Sequence, residues 1–203
     1  AMFAMLFSGR LSDKIGRKKV LIFVAFLYAI SAVLSAMAGS YEMLYIARII
    51  GGLAFGAALV LAPIYIAEIS TAENRGRLVS LQQLNIVFGF FAAFLSNYLF
   101  NKYNTSESTF LTDENVWRWM LGVELIPALC YFIFLFFVPK SPRWLYLKEN
   151  FEEAKKVLNK IHGTERGSIE IASIEKNINT DKKKSKLKIK DLLKPSLRFI
   201  LVV

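Results

Sequence analysis

Two amides, Gln82 and Gln83, lie inside a run of the sequence that holds no charged residue from position 78 to position 100. An amide facing hydrocarbon loses its hydrogen bonds at a cost of several kcal/mol, so at least one of the two is expected to meet water, a partner or a ligand. Steps of seven place Gln83, Phe90 and Asn97 on nearly one stripe of a helix. Amide, ring and amide in that order suit a polyhydroxylated ligand with an apolar ring face, bound and released without covalent chemistry. Hydrogen bonding between neighbouring helices is the competing use for the same amides.

Arg48 stands at the start of a second apolar run, roughly 8 Å along a helix that begins near Met43, at about 1.5 Å per residue. An unpaired guanidinium at that depth is expensive. The sharper expectation for its partner is a carboxylate on a helix that precedes this sequence; a snorkelling anchor at the interface is the simpler alternative. Gly52, Gly56, Leu59 and Pro63 share its stripe, and the Gly52–Gly56 pair forms a GxxxG that admits another backbone.

Two further constellations concentrate charge at helix ends. Between Gly9 and Lys19, glycines allow close helix ends, Asp13 can accept hydrogen bonds, and Arg10 and Arg17 can pair with carboxylates or headgroups; an ordinary basic loop explains the same residues. Glu68 and Arg75 stand at the end of one run and the start of the next, where they are expected to meet as a latch. A surface ion pair is worth only about 0–1 kcal/mol, so such a latch acts by favouring one conformation, unless it is an exposed pair of no consequence.

These residues need apolar helices to hold them, and the composition supplies them. Of 203 residues 55% are hydrophobic and 17 are Phe, too apolar a balance for an ordinary soluble domain. Four runs are long enough to cross a hydrocarbon core of about 30 Å: 20–38, 43–69, 78–100 and 117–138. The sequence opens inside an apolar stretch, without an initiator Met at position 1, and closes on another, so it is expected to be a piece of a longer chain. No signal peptide is visible.

All but three of the 26 Lys and Arg residues, namely Arg48, Lys102 and Arg118, fall in segments 9–19, 69–77 and 139–198. If the four runs cross alternately, these segments share one side, which the positive-inside rule makes the cytoplasm. The same clustering argues against nucleic-acid binding despite a net charge of +10. A single Cys130 and a single His162 leave disulfide, zinc and serine–histidine chemistry without parts, so no catalytic residue, metal or cofactor is expected. Beyond Val138, Asn150 and Glu153 look like a helix N-cap with its reciprocal partner, and Gly163 like a stop. A second amphipathic stretch is expected over 168–178, followed by a lysine-rich linker at 181–190 drawn to anionic headgroups.

Taken in order, the motifs resemble the sugar porter family of the major facilitator superfamily. They are the 9–19 loop, Arg48-Ile49-Ile50-Gly51-Gly52, Pro63-x-Tyr65-x-x-Glu68, Arg75-Gly76-x-Leu78, Gln83-Leu84-x-Ile86-x-x-Gly89, Trp117-Arg118-x-Met120 and Pro139-x-Ser141-Pro142-Arg143-Trp144. The resemblance implies an all-α, multi-pass fold: the N-terminal-half fragment of a twelve-helix transporter whose two halves rock about a central site. By it, residues 1–138 hold helix two in part through helix six, 139–195 a cytoplasmic linker of intracellular helices, and 196–203 the start of helix seven. Gln83 then resembles the sugar-contacting amide, and Arg48 the membrane arginine that meets an acid of helix one in proton-coupled members. Gly9, Arg10, Asp13, Arg17, Glu68, Arg75 and Arg143 resemble the gating network that keeps the cytoplasmic side closed.

Two positions depart from the family pattern. Lys140 replaces the acid that commonly precedes Ser-Pro-Arg, which reverses one charge of the network. Phe90 stands where some proton-coupled members carry a second amide, so contact there would be stacking. The implied function is transport of a hexose or pentose by alternating access, in a cell membrane, by a monomer whose partners are sugar, lipid and, where coupled, protons. A porter for another polyol, cyclitol or organic anion, and a non-transporting sugar sensor, share the scaffold. Asn104-Thr105-Ser106 is a glycosylation sequon on the expected outer loop.

Overall fold

The computed structural model describes residues 2–71, 73–104, 112 and 115–183. Thr105 and Ser106 of the sequon, most of the lysine-rich linker and the expected start of helix seven lie outside them. The described residues form nine α-helices and no strand: α1 (Met2–Ile15), α2 (Arg17–Ala36), α3 (Tyr41–Ile69), α4 (Arg75–Lys102), α5 (Val116–Gly122), α6 (Leu125–Phe137), α7 (Pro142–Leu147), α8 (Phe151–His162) and α9 (Thr164–Lys183). Four stretches are long and apolar enough to cross a membrane, namely α2, α3, α4 and the pair α5–α6. They coincide with the four expected runs to within about three residues.

Local chemistry sets the breaks. Gly16, at φ 105°, separates α1 from α2 in a backbone region that other residues rarely enter. The hydroxyl oxygen of Ser40 caps α3 by accepting from the Met43 N–H at 3.2 Å. The fourth run is not one helix, as the sequence suggests, but two, parted at Val123 and Glu124. Pro127 has no N–H for the carbonyl of Val123, which accepts from Ile126 instead at 3.2 Å.

The second helix, α2, is the centre of the packing, with α3 and α6 as its main neighbours. Val20, Leu21, Val24 and Ala25 meet Ala54, Ala57, Leu61 and Tyr65 of α3 and Leu135 of α6 in one apolar core. Small residues let α2 and α3 approach: the Ser31 hydroxyl donates to the Ala47 carbonyl at 2.8 Å, and a Cβ on Gly51 would lie 2.5 Å from Ser31 Oγ. Close approach thus involves Gly51, a neighbour of the GxxxG pair that the sequence suggests. By contrast, α4 has no buried side chain along its whole length.

After α6 the chain runs over one end of the bundle. Ser141 caps α7, accepting from the Trp144 N–H at 3.2 Å. Asn150 caps α8 as expected, although Glu153 answers through the Asn150 side-chain amide at 2.9 Å. Gly163 ends α8 at φ 81°. The next helix, α9, runs well beyond 168–178 at both ends.

Candidate functional site

Charged residues from α1, α2 and α3 meet where these helices converge, beside the Ser141 cap of α7. Arg17 opens α2, and its Nε lies 3.0 Å from Glu68 Oε2 at the end of α3, while its Nη2 lies 2.7 Å from Asp13 Oδ1 one helical turn back. A third guanidinium hydrogen bond, 3.1 Å long, goes to the Ser12 carbonyl. Glu68 is completed by the Ser141 hydroxyl, which donates to Oε2 at 2.5 Å. Both Arg17 and Glu68 are buried in their side chains, so their charges are held by mutual pairing and by these added hydrogen bonds.

Glu68 and Arg75 do not pair directly, contrary to the latch expected from their proximity in sequence. Arg75 Nε donates instead to the Ala67 carbonyl at 3.1 Å. His162, at the end of α8, reaches the Ile69 carbonyl at 3.0 Å, and since a carbonyl only accepts, Nε2 carries the proton. Both side chains therefore satisfy carbonyls that the last turn of α3 leaves open. Glu68, Arg75, Arg143 and His162 nevertheless line one cleft of about 290 Å³, together with Glu170 and Ser173 of α9. Gly9 and Arg10 lie on α1, Gly9 with open space where a side chain would be and Arg10 exposed.

Two neighbouring contacts tie the α6–α7 junction to α1 and α3 at this end. The Tyr65 hydroxyl donates to the Pro139 carbonyl at 2.6 Å, and the Trp144 indole donates to the Asp13 carbonyl at 3.1 Å while its ring covers Gly16. Lys140, the residue of reversed sign, pairs with Glu153 at 2.7 Å.

Toward the other end, Arg48 finds a partner within the chain. Its Nη1 lies 3.3 Å from both carboxylate oxygens of Glu124, at the break between α5 and α6. The side chains are 40% and 47% exposed, so the pair borders open space rather than packed core.

Gln83, Phe90 and Asn97 are all exposed on α4. Gln82 is half-buried, and its Oε1 is fully covered with no hydrogen-bond partner among the described residues. Sequence reasoning missed Glu124, Ser141 and His162. The first was findable as the only acid of its run; the others needed the fold that brings α7 and α8 onto α3.

The whole of residues 1–203 matches the family model described as "Sugar (and other) transporter". The chain belongs to that family. Its fold is the N-terminal-half portion of the twelve-helix major facilitator architecture, all-α and multi-pass, in a protein of the cell membrane. Among family relatives, the chain is 39% identical over 196 residues to the arabinose-proton symporter of Bacillus subtilis, covering 97% of this chain and 41% of that protein. It is 36% identical over 203 residues to the major myo-inositol transporter IolT of Bacillus subtilis, covering 100% of this chain and 42% of that protein. The partially occluded, inward-open xylose transporter XylE from E. coli superposes with a TM-score of 0.80 at 32% identity, over 88% of this chain and 46% of that one. The chain therefore spans about two fifths of the length of the curated relatives it matches.

Proposed function

We propose that the complete protein carries a monosaccharide, a hexose or pentose, across the cell membrane by alternating access, without covalent catalysis. The observation that carries this reading is the amide–ring–amide stripe of Gln83, Phe90 and Asn97 on the spanning helix α4, within a run that holds no charged residue. Hydrocarbon would reject that stripe, whereas sugar hydroxyls and a ring face fit it.

In this reading the basic end is cytoplasmic, with α7, α8 and α9 as intracellular helices within the linker 139–195. Gly9, Arg10, Asp13, Arg17, Glu68, Arg75 and Arg143 then hold that end shut in one state of the cycle and release it in the other. Arg48 paired with Glu124 is the ionic element within the spans that a coupling step would have to break. Relatives named as proton symporters for arabinose and galactose support coupling.

Replacing Gln83 by Ala in the complete protein should raise the KM for sugar uptake about tenfold or more and leave insertion intact. Unchanged uptake at limiting sugar excludes Gln83 from the site. Similarity to the myo-inositol transporter favours a cyclitol as the second reading, and competition by inositol against labelled pentose separates the two.

A further inference from the structure

At the outer corner of the basic end, a groove of about 220 Å³ opens between the start of α2 and the α6–α7 junction. Its walls are Gly16, Lys18, Lys19, Ile22, Lys140 and Trp144, with Arg17, Ile15 and Ser141 behind them. Arg17 is committed to Asp13 and Glu68, so it adds no free charge. The lysines differ. Lys18 spends one of its three N–H donors on the Phe136 carbonyl at 2.8 Å, and Lys140 spends one on Glu153 at 2.7 Å. Lys19 is exposed. Glu153 offsets one of the three ammonium groups, and the Arg17 cluster, with two carboxylates on one guanidinium, offsets another, so the groove keeps one net positive charge with several lysine donors available.

The apolar surroundings distinguish this groove from an ordinary cationic patch. It sits where two spanning stretches, α2 and α6, meet the basic end, and exposed rings descend from it: Phe136 and Phe137 on α6, Phe23 and Phe26 on α2. Phe132 packs edge-on to Phe136 at 5.1 Å and lies 6.2 Å from Phe26, giving a continuous aromatic track along the helices. Cations above, an indole at the boundary and apolar rings below are the order of a lipid molecule: phosphate, glycerol, acyl chain.

We propose that this groove binds the phosphodiester headgroup of an anionic phospholipid such as phosphatidylglycerol, with Lys18, Lys19 and Lys140 contacting the phosphate and the acyl chains lying along Phe136 and Phe26. A zwitterionic headgroup would bring its own cation against the lysines and bind less well. Lys140 is the decisive member, because an acid in its place would put a second carboxylate beside Glu153 and cancel the charge of the pocket.

Trp144 reports on the groove directly. The other two indoles, Trp117 and Trp119, lie at the far end of α2, where Arg118 donates to the Ala38 carbonyl, about 30 Å away for a 20-residue helix. In a Trp117→Phe/Trp119→Phe background, with any tryptophan outside these 203 residues also replaced by Phe, the complete protein is reconstituted in phosphatidylcholine vesicles doped with acyl-brominated phosphatidylglycerol or acyl-brominated phosphatidylcholine. Trp144 fluorescence should reach half-maximal quenching at about a threefold lower mole fraction of the anionic lipid. Lys18→Gln/Lys19→Gln/Lys140→Gln should abolish the difference, and neutralising the lysines of 182–190 should leave it. Equal quenching by the two lipids overturns the proposal, as does loss of the difference with the 182–190 lysines. Relief of quenching by millimolar inorganic phosphate would make this a site for a soluble anion and overturn it too. If circular dichroism shows the triple variant unfolded, Lys140→Glu alone must still narrow the preference, and an unaltered preference there is equally fatal.

Discussion

Arg17 Nε and Glu68 Oε2 meet at 3.0 Å with 8% and 6% of their side chains exposed, although 51 residues separate them in sequence. The pair ties the α1–α2 turn to the end of α3, and Ser141 draws α7 into the same knot. Removing one partner leaves the other buried with its charge unmatched. Glu68→Ala should therefore destabilise the chain by about 3–5 kcal/mol. Asp13→Asn should cost no more than about 1 kcal/mol, since Asp13 is 66% exposed and its pairing with Arg17 is screened by solvent. Thermal unfolding in detergent measures both, and equal losses would contradict the assignment of Glu68 as the buried centre.

Gly16→Ala tests the turn from the backbone side. At φ 105° and ψ 141° the residue occupies a region close to glycine-only, and an added Cβ would lie 3.2 Å from the Trp144 ring. A loss of about 1–3 kcal/mol is expected, with a change in Trp144 emission as the ring is displaced. Trp144→Ala in the same chain should relieve the contact but not the backbone strain. Full recovery in the double variant would mean that the ring, and not φ, requires the glycine.

Pro127 makes a third test. Pro127→Ala gives the Val123 carbonyl a regular i+4 donor, so α5 and α6 should fuse and amide exchange at residues 124–128 should slow by about tenfold. Glu124 would then turn with the helix and leave Arg48. Exchange that stays fast would place the cause of the break elsewhere.

What the sequence made legible was whatever chemistry is local. The spans follow from uncharged runs, and the caps at Asn150 and Gly163 from residue types whose partners are three or four positions away. Interruption of the last span was equally local, since Pro127 is in plain view, but a proline in a membrane helix does not always break it. Pairings were harder to read. Glu68 was matched to Arg75 because only a short turn separates them, whereas the fold offers Glu68 the nearer Arg17 and lets Arg75 cap α3. His162 looked idle until α8 folded back onto the last carbonyl of α3. Such partners are chosen by helix crossings, and single-sequence periodicity carries no record of which helices cross.

Arg48 and Glu124 show how far depth and exposure together set the worth of an ion pair. With side chains 40% and 47% exposed, the pair is open to water in this chain, and water screens it. A double-mutant cycle with Arg48→Met and Glu124→Gln should give a coupling of about 0.5–1 kcal/mol in low salt, falling toward zero near 1 M salt. In the complete protein, any neighbouring helix that covers the pair removes that water, and the same cycle should then give a larger coupling that salt hardly alters. Sugar uptake follows the same logic. Glu124→Gln removes the anion that Arg48 pairs with, so uphill accumulation of sugar should fall while sugar counterflow persists if this carboxylate is the coupled one. Accumulation equal to that of the unaltered transporter would assign the coupling to another acid and leave Arg48–Glu124 as a structural brace.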